Sequence, residues 1–372
     1  MKKTIAFAAL ILGIGFSSCD SKDAKPTGTN VTVEIEGLDT VIVSEIHPQE
    51  AVAVDTVLFT NGKANIKLDV EAAGFYSLVF NDKTSSTLFI DKLDQIVIKL
   101  DTVNPDQMYD IEGSQASRDV EELFSYQNRY SKSLNRLAVQ AQGASQGKID
   151  TLLQYKNLLD SEFKAKISQF IETKTSSPAA LLALFQGTGQ QLIFDLYRDY
   201  AIYQEVHDSV EAKYPDFKDH LVFIKQNLDR TIAKDFNLPT ADGKQVQLSD
   251  YAGKWLVINI WASWEQGSRD LNKIIAQVAK DFPETKFVSI ALDGKEDQKN
   301  PKTDWQNAIK EDKLTSSNWT HLSDLLGTKS SIISLYEFNS IPQLFIINPE
   351  GRIVARNLME SDLRNLLNQN KK

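Results

Sequence analysis

The spacing of apolar residues changes twice along this chain, and each change limits what the next segment can build. Between residues 30 and 113 the period is two, as Val31-Thr32-Val33-Glu34-Ile35-Glu36 illustrates, which is the pattern of half-buried strands. Asn61-Gly62, between Val57-Leu58-Phe59 and Ala64-Asn65-Ile66-Lys67-Leu68, is a turn pair that tolerates the positive φ of a tight reversal. Phe75–Phe80, Thr87–Ile90 and Gln95–Leu100 continue the series of short apolar runs. Short strands at regular spacing predict an antiparallel β-sandwich over 30–113.

From 114 to 234 the period becomes helical. Val120, Leu123, Phe124, Leu134, Leu137 and Ala138 mark one face; Leu152, Tyr155, Leu159, Phe163, Ile167 and Phe170 mark another, with Gly143–Gly147 between them. Ser177-Pro178 reads as a helix start, with serine as cap and proline at the first helical position. Gly187-Thr188-Gly189 interrupts the pattern, and Tyr214-Pro215 precedes a helix through Leu221, Ile224 and Leu228. An all-helical middle region of four or five helices is predicted, with these stripes as its core.

From 235 to 372 strands and helices alternate. Leu256-Val257-Ile258-Asn259-Ile260 suits a strand buried on both faces. A helix carrying Leu271, Ile274, Ile275 and Val278 follows it, then a second buried strand, Phe287–Leu292. Strands at Gln343–Ile347 and Ile353–Ala355 flank the turn Asn348-Pro349-Glu350-Gly351-Arg352, and a helix with Leu363, Leu366 and Leu367 closes the series. This succession predicts an α/β thioredoxin-like fold.

The first 29 residues belong to none of these regions. Lys2-Lys3 precedes the uncharged, mostly apolar stretch Ile5–Phe16, and Ser17-Ser18-Cys19 follows. A helix of that length spans about 18 Å, too short for a hydrocarbon core of about 30 Å. It reads as an export signal over 1–18 rather than a membrane span. Small residues directly before Cys19 resemble the lipobox of bacterial lipoproteins. The resemblance implies acylation of Cys19, a polar tether over 19–29, and a chain held to the membrane by its N-terminal lipid. No later segment approaches eighteen consecutive apolar residues.

Hydrophobic residues make up 42% and charged residues 24% of the chain, which is folded-protein usage. The formal charge of −9 argues against nucleic acid as a partner. Cys19 is the single cysteine, so no disulfide within the chain can be expected.

Several segments then carry a family resemblance: Asp242-Gly243-Lys244, Leu248–Lys254, Trp261-Ala262-Ser263-Trp264 and Ile341-Pro342. In this order and spacing they resemble the membrane-anchored thioredoxin-like family called TlpA/ResA. The 30–113 stretch resembles the β-rich domain of unknown function that often precedes such domains in bacterial lipoproteins. The resemblance implies a cis Pro342 beside a reactive turn, Trp261–Ser268. In the family the positions of Glu265 and Ser268 are cysteines. The first thiol lies at a helix N-terminus, where its pKa falls and its thiolate attacks a disulfide; the second resolves the mixed disulfide.

Here Trp264-Glu265-Gln266-Gly267-Ser268 is a degenerate version of that turn. A carboxylate suits a helix N-terminus but cannot exchange with a disulfide, and a serine hydroxyl cannot resolve one. Thiol–disulfide exchange and cysteine-based peroxide reduction are therefore not expected. Asn259 stands where thioredoxins often carry a buried aspartate. General acid–base work by Glu265 would need a partner group. His47, His207, His220 and His321 show no metal-ligand spacing and read as surface or turn residues. With no phosphate loop or dinucleotide fingerprint, neither cofactor nor metal is expected.

Trp261, Trp264, Ile341 and Pro342 either keep the family's apolar peptide groove or pack beneath the turn. Asp39-Thr40-Val41, Asp55-Thr56-Val57, Asp101-Thr102-Val103, Asp150-Thr151-Leu152 and Asp208-Ser209-Val210 resemble O-glycosylation acceptors or mark strand ends and helix starts. The leading expectation is a lipid-anchored, redox-inactive cell-envelope protein that binds a protein or peptide. The alternatives are a component for glycan or peptide capture, and a thiol–disulfide family member by descent alone.

Overall fold

The computed structural model describes residues 28–81, 84–100, 109–189 and 191–370. The expected signal segment, Cys19, nearly all of the tether and Asp101-Thr102-Val103 lie outside the described residues.

The N-terminal strands are β1 (Thr29–Glu34), β2 (Thr40–Ile46), β3 (Ala51–Leu58), β4 (Lys63–Leu68), β5 (Gly74–Asn81), β6 (Thr84–Ile90), β7 (Gln95–Leu100) and β8 (Tyr109–Glu112). They form two sheets, β4-β1-β7-β8 and β3-β2-β5-β6. Val31, Val33, Val43, Leu78, Leu88 and Ile98 are fully buried between them. One pairing departs from the expected antiparallel sandwich: β1 runs parallel to β7, Val31 opposite Ile96 and Val33 opposite Ile98. Period-two alternation tells which side chains face inward but not the direction of the neighbouring strand. Asn61 and Gly62 do turn the chain, with φ of 52° and 74°, yet β3 and β4 go to different sheets and only the bridge Thr60–Lys63 joins them at the turn.

The middle region holds α1 (Gln115–Ala141), α2 (Gln146–Thr173), α3 (Pro178–Ala183), α4 (Tyr200–Lys213) and α5 (Lys218–Asp229). The glycine-marked break after α3 forms a small hairpin of β9 (Gly187–Thr188) and β10 (Gln191–Leu192). Ser114 caps α1, its hydroxyl accepting from the Ser117 amide at 3.3 Å. Ser177 precedes α3 but makes no capping hydrogen bond, its hydroxyl being buried without a partner.

This region does not fold beside the sandwich; it covers it. Phe75 and Phe89 project from the outer face of β5 and β6 into the helical core, while Tyr76 and Leu88 project into the sandwich. That is why consecutive large side chains, Phe75 with Tyr76 and Leu88 with Phe89, are both buried. Ser117 of α1 is fully buried, donating to the Phe89 carbonyl at 2.7 Å and accepting from the Phe89 amide at 3.2 Å. The Phe217 ring lies 5.3 Å from Phe75, 5.1 Å from Phe89 and 4.7 Å from His220. Burial pushes the His220 pKa down to about 4, so it sits neutral in this aromatic group. The far ends of α1 and α2 leave the body, so Ala138 and Tyr155, expected in the core, are exposed and Leu137 is only partly covered.

The C-terminal region contains β11 (Asn237–Pro239), β12 (Gln245–Gln247), β13 (Leu256–Trp261), α6 (Gln266–Asp281), β14 (Lys286–Ala291), α7 (Pro301–Glu311), β15 (Trp319–Leu322), α8 (Ile332–Leu335), β16 (Gln343–Ile347), β17 (Ile353–Arg356) and α9 (Glu360–Gln369). The main sheet is ordered β15-β14-β13-β16-β17. Val257 and Trp261 of β13 face the core under α6, α7 and α9, and Leu256, Ile258 and Ile260 face the opposite core with Phe236 and Tyr336. The pattern of apolar residues did not reveal β15 or the β11–β12 hairpin, both too short for a clear alternation. The histidines are built into contacts rather than free at the surface. His207 is buried on α4, and His321 places Nδ1 2.6 Å from Ser289 Oγ and Nε2 2.7 Å from the Leu314 carbonyl.

All five tryptophans lie between Trp255 and Trp319, so intrinsic fluorescence reports the C-terminal region alone. Phe217→Ala is expected to destabilise the joint sandwich–helix core by about 3–5 kcal/mol. In urea, the far-ultraviolet circular dichroism transition should move to lower denaturant while the tryptophan transition stays in place.

Candidate functional site

β13 delivers the chain to the site. Its last residue, Trp261, is fully buried in the core beneath α6, which removes it from the possible groove residues. Ala262 is also buried, Ser263 is half-covered, and Trp264 turns outward, 44% exposed. Lys295 Nζ stands 4.9 Å from the Trp264 ring centroid, a cation–π contact that covers part of one face.

Glu265 is the N-cap residue of α6, with φ −103° and ψ 114°. Its carboxylate accepts from the Gly267 amide at 3.0 Å and from the Ser268 amide, two of the donors that a helix start leaves unpaired. Burial pushes its pKa up, but the Ser268 hydroxyl and the amides of Ser268 and Gly267 outweigh that effect and hold it below the ordinary glutamate value. The hydroxyl acts by proximity, because Ser268 Oγ is fully buried with no partner at regular hydrogen-bond geometry. A charged, capped carboxylate therefore occupies the position of greatest positive potential. Gln266 and Gly267 are exposed beside it.

A polar group lies beneath the turn. The Asn259 amide donates to Asn272 Oδ1, one turn along α6 from Ser268. Asn259 Oδ1, Asn272 Nδ2 and Ser268 Oγ are all buried without partners. No carboxylate or imidazole is among them, so Glu265 has no acid–base partner there.

The turn is anchored by Asp293, a residue outside every motif of the sequence. Asp293 is fully buried just beyond β14; it accepts from the Ser263 amide at 3.1 Å, from the Ser263 hydroxyl, and from Gln298 Nε2 at 2.7 Å. A signal did exist, since an aspartate ending the apolar run Phe287–Leu292 must fall next to the end of the parallel neighbour β13. Two glycines let the chain cross closely here. Gly294 has φ 108°, and a Cβ on it would lie 1.9 Å from the Leu325 carbonyl oxygen; Gly327 donates its amide to the Asp293 carbonyl at 3.1 Å.

Ile341-Pro342 is a cis peptide bond. Gln343, the next residue, pairs with Ile260 of β13, so Pro342 sits level with Trp261 at the mouth of the turn. Ile341 and Pro342 are half-buried, Ile341 packing on the core opposite α6. The structure thus brings Trp264, Glu265, Gln266 and Gly267 together with Ile341 and Pro342 at one end of the sheet, with Trp261 and Ser268 buried below.

Two further features lie outside this site. His207, Asp208 and Glu211 of α4 bring their ligand-type atoms within 4.8 Å of one another, with Asp208 already held by His207 and Gln204. A cavity of about 470 Å³ opens between α1 and α2, lined by Tyr126, Arg129, Tyr130, Phe163 and Lys166 among others.

The model of the AhpC/TSA family matches residues 230–356. The thiol-disulfide oxidoreductase ResA of Bacillus subtilis (strain 168) is 25% identical over 171 residues, covering 46% of this chain and 82% of that protein. Among solved structures, a thiol-disulfide oxidoreductase from Bacteroides fragilis NCTC 9343 is 25% identical with a TM-score of 0.34, covering 38% of this chain and 99% of its own. A putative thiol:disulfide interchange protein DsbE from Chlorobium tepidum is 24% identical with a TM-score of 0.31, covering 37% and 92%. The C-terminal region of this chain is a TlpA/ResA-like thioredoxin-like domain.

Proposed function

We propose that this protein is a cell-envelope lipoprotein, anchored through Cys19, whose thioredoxin-like domain is redox-inactive and binds a protein or peptide across Trp264, Ile341 and Pro342. The observation that carries the reading is the Glu265 carboxylate closing the amides of Gly267 and Ser268. The helix end that would activate a thiol is satisfied internally, while Trp264 beside it stays open to solvent. Apolar and aromatic anchors next to a strand end suit the capture of an extended segment.

Glu265 in this account is a structural cap. Glu265→Gln is expected to cost about 0.3–1 kcal/mol at neutral pH. Because the folded-state pKa is depressed, the carboxylate stabilises at pH above the unfolded value near 4.5 and loses that contribution as pH falls through the folded value. The stability difference between wild type and Glu265→Gln should therefore close on acidification, as read from urea midpoints across a pH series.

The binding surface is tested by cross-linking in intact cells. Wild-type protein should capture a defined set of envelope partners, and the double variant Trp264→Gln, Ile341→Asn should lose them while still unfolding in one cooperative thermal transition above the temperature of the assay. Capture of the same partners by the double variant would refute the groove. The full chain should also fail to reduce insulin under conditions where a Cys-x-x-Cys protein succeeds. Cys19→Ser is expected to shift the protein from the membrane to the soluble fraction; retention in the membrane counts against the lipid anchor.

A further inference from the structure

A wide space borders the C-terminal domain away from the degenerate turn. A cleft of about 880 Å³ separates the β9–β10 hairpin and the segment before α4 from β17 and α9. Its volume falls in the range of small-ligand sites, about 300–1,000 Å³. Leu192 and Leu366 give it apolar walls, and Asn365 and Gln369 present side-chain amides.

Arg356, the last residue of β17, lines this cleft. Its guanidinium stacks 4.6 Å from the Tyr197 ring centroid and 5.0 Å from that of Phe345. Arg356 Nε is buried with no hydrogen-bond partner, and among the described residues no carboxylate forms an ion pair with it. A buried donor of this kind costs stability unless something accepts from it. Arg230 and Lys234 share an adjoining small cavity with Arg356, and the one carboxylate there, Glu337, reaches Arg230 only at 4.0 Å. In that cavity three cations, Arg230, Lys234 and Arg356, face one carboxylate, whereas the cleft itself sets Arg198 and Arg356 against Asp195 and Asp362.

The neighbouring backbone points to the form of the ligand. β17 is an edge strand of the main sheet. Thr231–Ala233 lies along the start of that edge: Ile353 donates its amide to the Thr231 carbonyl at 2.7 Å, and Ile232 bridges to Arg352. Beyond this, at Val354–Arg356, no backbone group of the described residues pairs with the edge, and these same residues line the cleft. An extended segment can continue the line that Thr231–Ala233 begins. Asp195 and Asp362 also stand in the walls, which disfavours a doubly charged phosphate more than a single carboxylate.

We propose that this cleft binds a short peptide by its C-terminal carboxylate, with the Arg356 guanidinium as the fork that receives it and the free edge of β17 pairing with its backbone. The planar guanidinium matches a carboxylate in two-point contact. The site lies at the sheet edge, two strands from β13, so it stands or falls independently of the Trp264 surface.

The test is equilibrium dialysis of the full chain against two matched pools of N-acetylated tripeptides, one with free C-termini and one amidated, read by mass spectrometry. Free-acid peptides should be retained about tenfold or more over their amides, the worth of one charged hydrogen bond. Arg356→Gln should abolish that preference. Leu366→Glu, which places a like charge in the cleft and leaves Arg356 and its aromatic stack untouched, should abolish it too, with thermal melts of the free variants showing that both are folded. Equal retention of acid and amide, no retention of either pool, competition by inorganic phosphate stronger than by acetate, or an unchanged preference in the two folded variants would each overturn the proposal.

Discussion

β13 is buried on both faces over its whole length, and everything in the C-terminal domain is arranged around that fact. A strand covered on two sides needs a layer above and a layer below, so α6, α7 and α9 pack on one face and α8 with the β11–β12 segment on the other. At its carboxyl end the chain leaves this burial and enters the turn. The turn there inherits a fixed position from Trp261 below, from Asp293 at the side and from Pro342, just before β16, across. Glu265 then closes the start of α6. The order of the turn is thus set by packing and by oxygen acceptors, with no sulfur involved.

Much of this was legible in the sequence because burial imposes period. Leu256–Ile260 announced a central strand, and the change from alternation to helical spacing after residue 113 marked the second region. What failed did so for physical reasons. Val31 and Val33 declare which face of β1 is buried but say nothing of the direction of its partner, so the parallel pairing with β7 was invisible. Phe75 and Phe89 belong to a strand pair covered on its outer side by α1 and α5, a relation between segments far apart in the chain. Tyr155 has the spacing of a core residue but lies on a part of α2 that reaches past the body. At the site, Glu265 and Ser268 could be placed by their distance from Trp261, whereas Asp293 and Asn272 enter only once strands and helix are assembled.

The seam between the helical region and the C-terminal domain is built differently from either core. Arg352 packs over Tyr200 and Arg356 over Tyr197 at 4.6 Å each, and Arg352 also donates to the Thr231 hydroxyl at 2.8 Å. Cations stacked on aromatic faces make a contact that is firm in orientation yet partly solvated. Such a joint holds the two units in register without merging their cores, and it leaves polar space along the sheet edge.

The position of β1 has a mechanical meaning. It is the first strand of the described residues, and it is an interior strand, hydrogen-bonded to β4 on one side and β7 on the other. A load applied at Thr29 along the chain runs parallel to β1 and draws on both ladders at once, in shear, instead of peeling an edge one bond at a time. In such a strand the pull is shared between two ladders before any single contact yields.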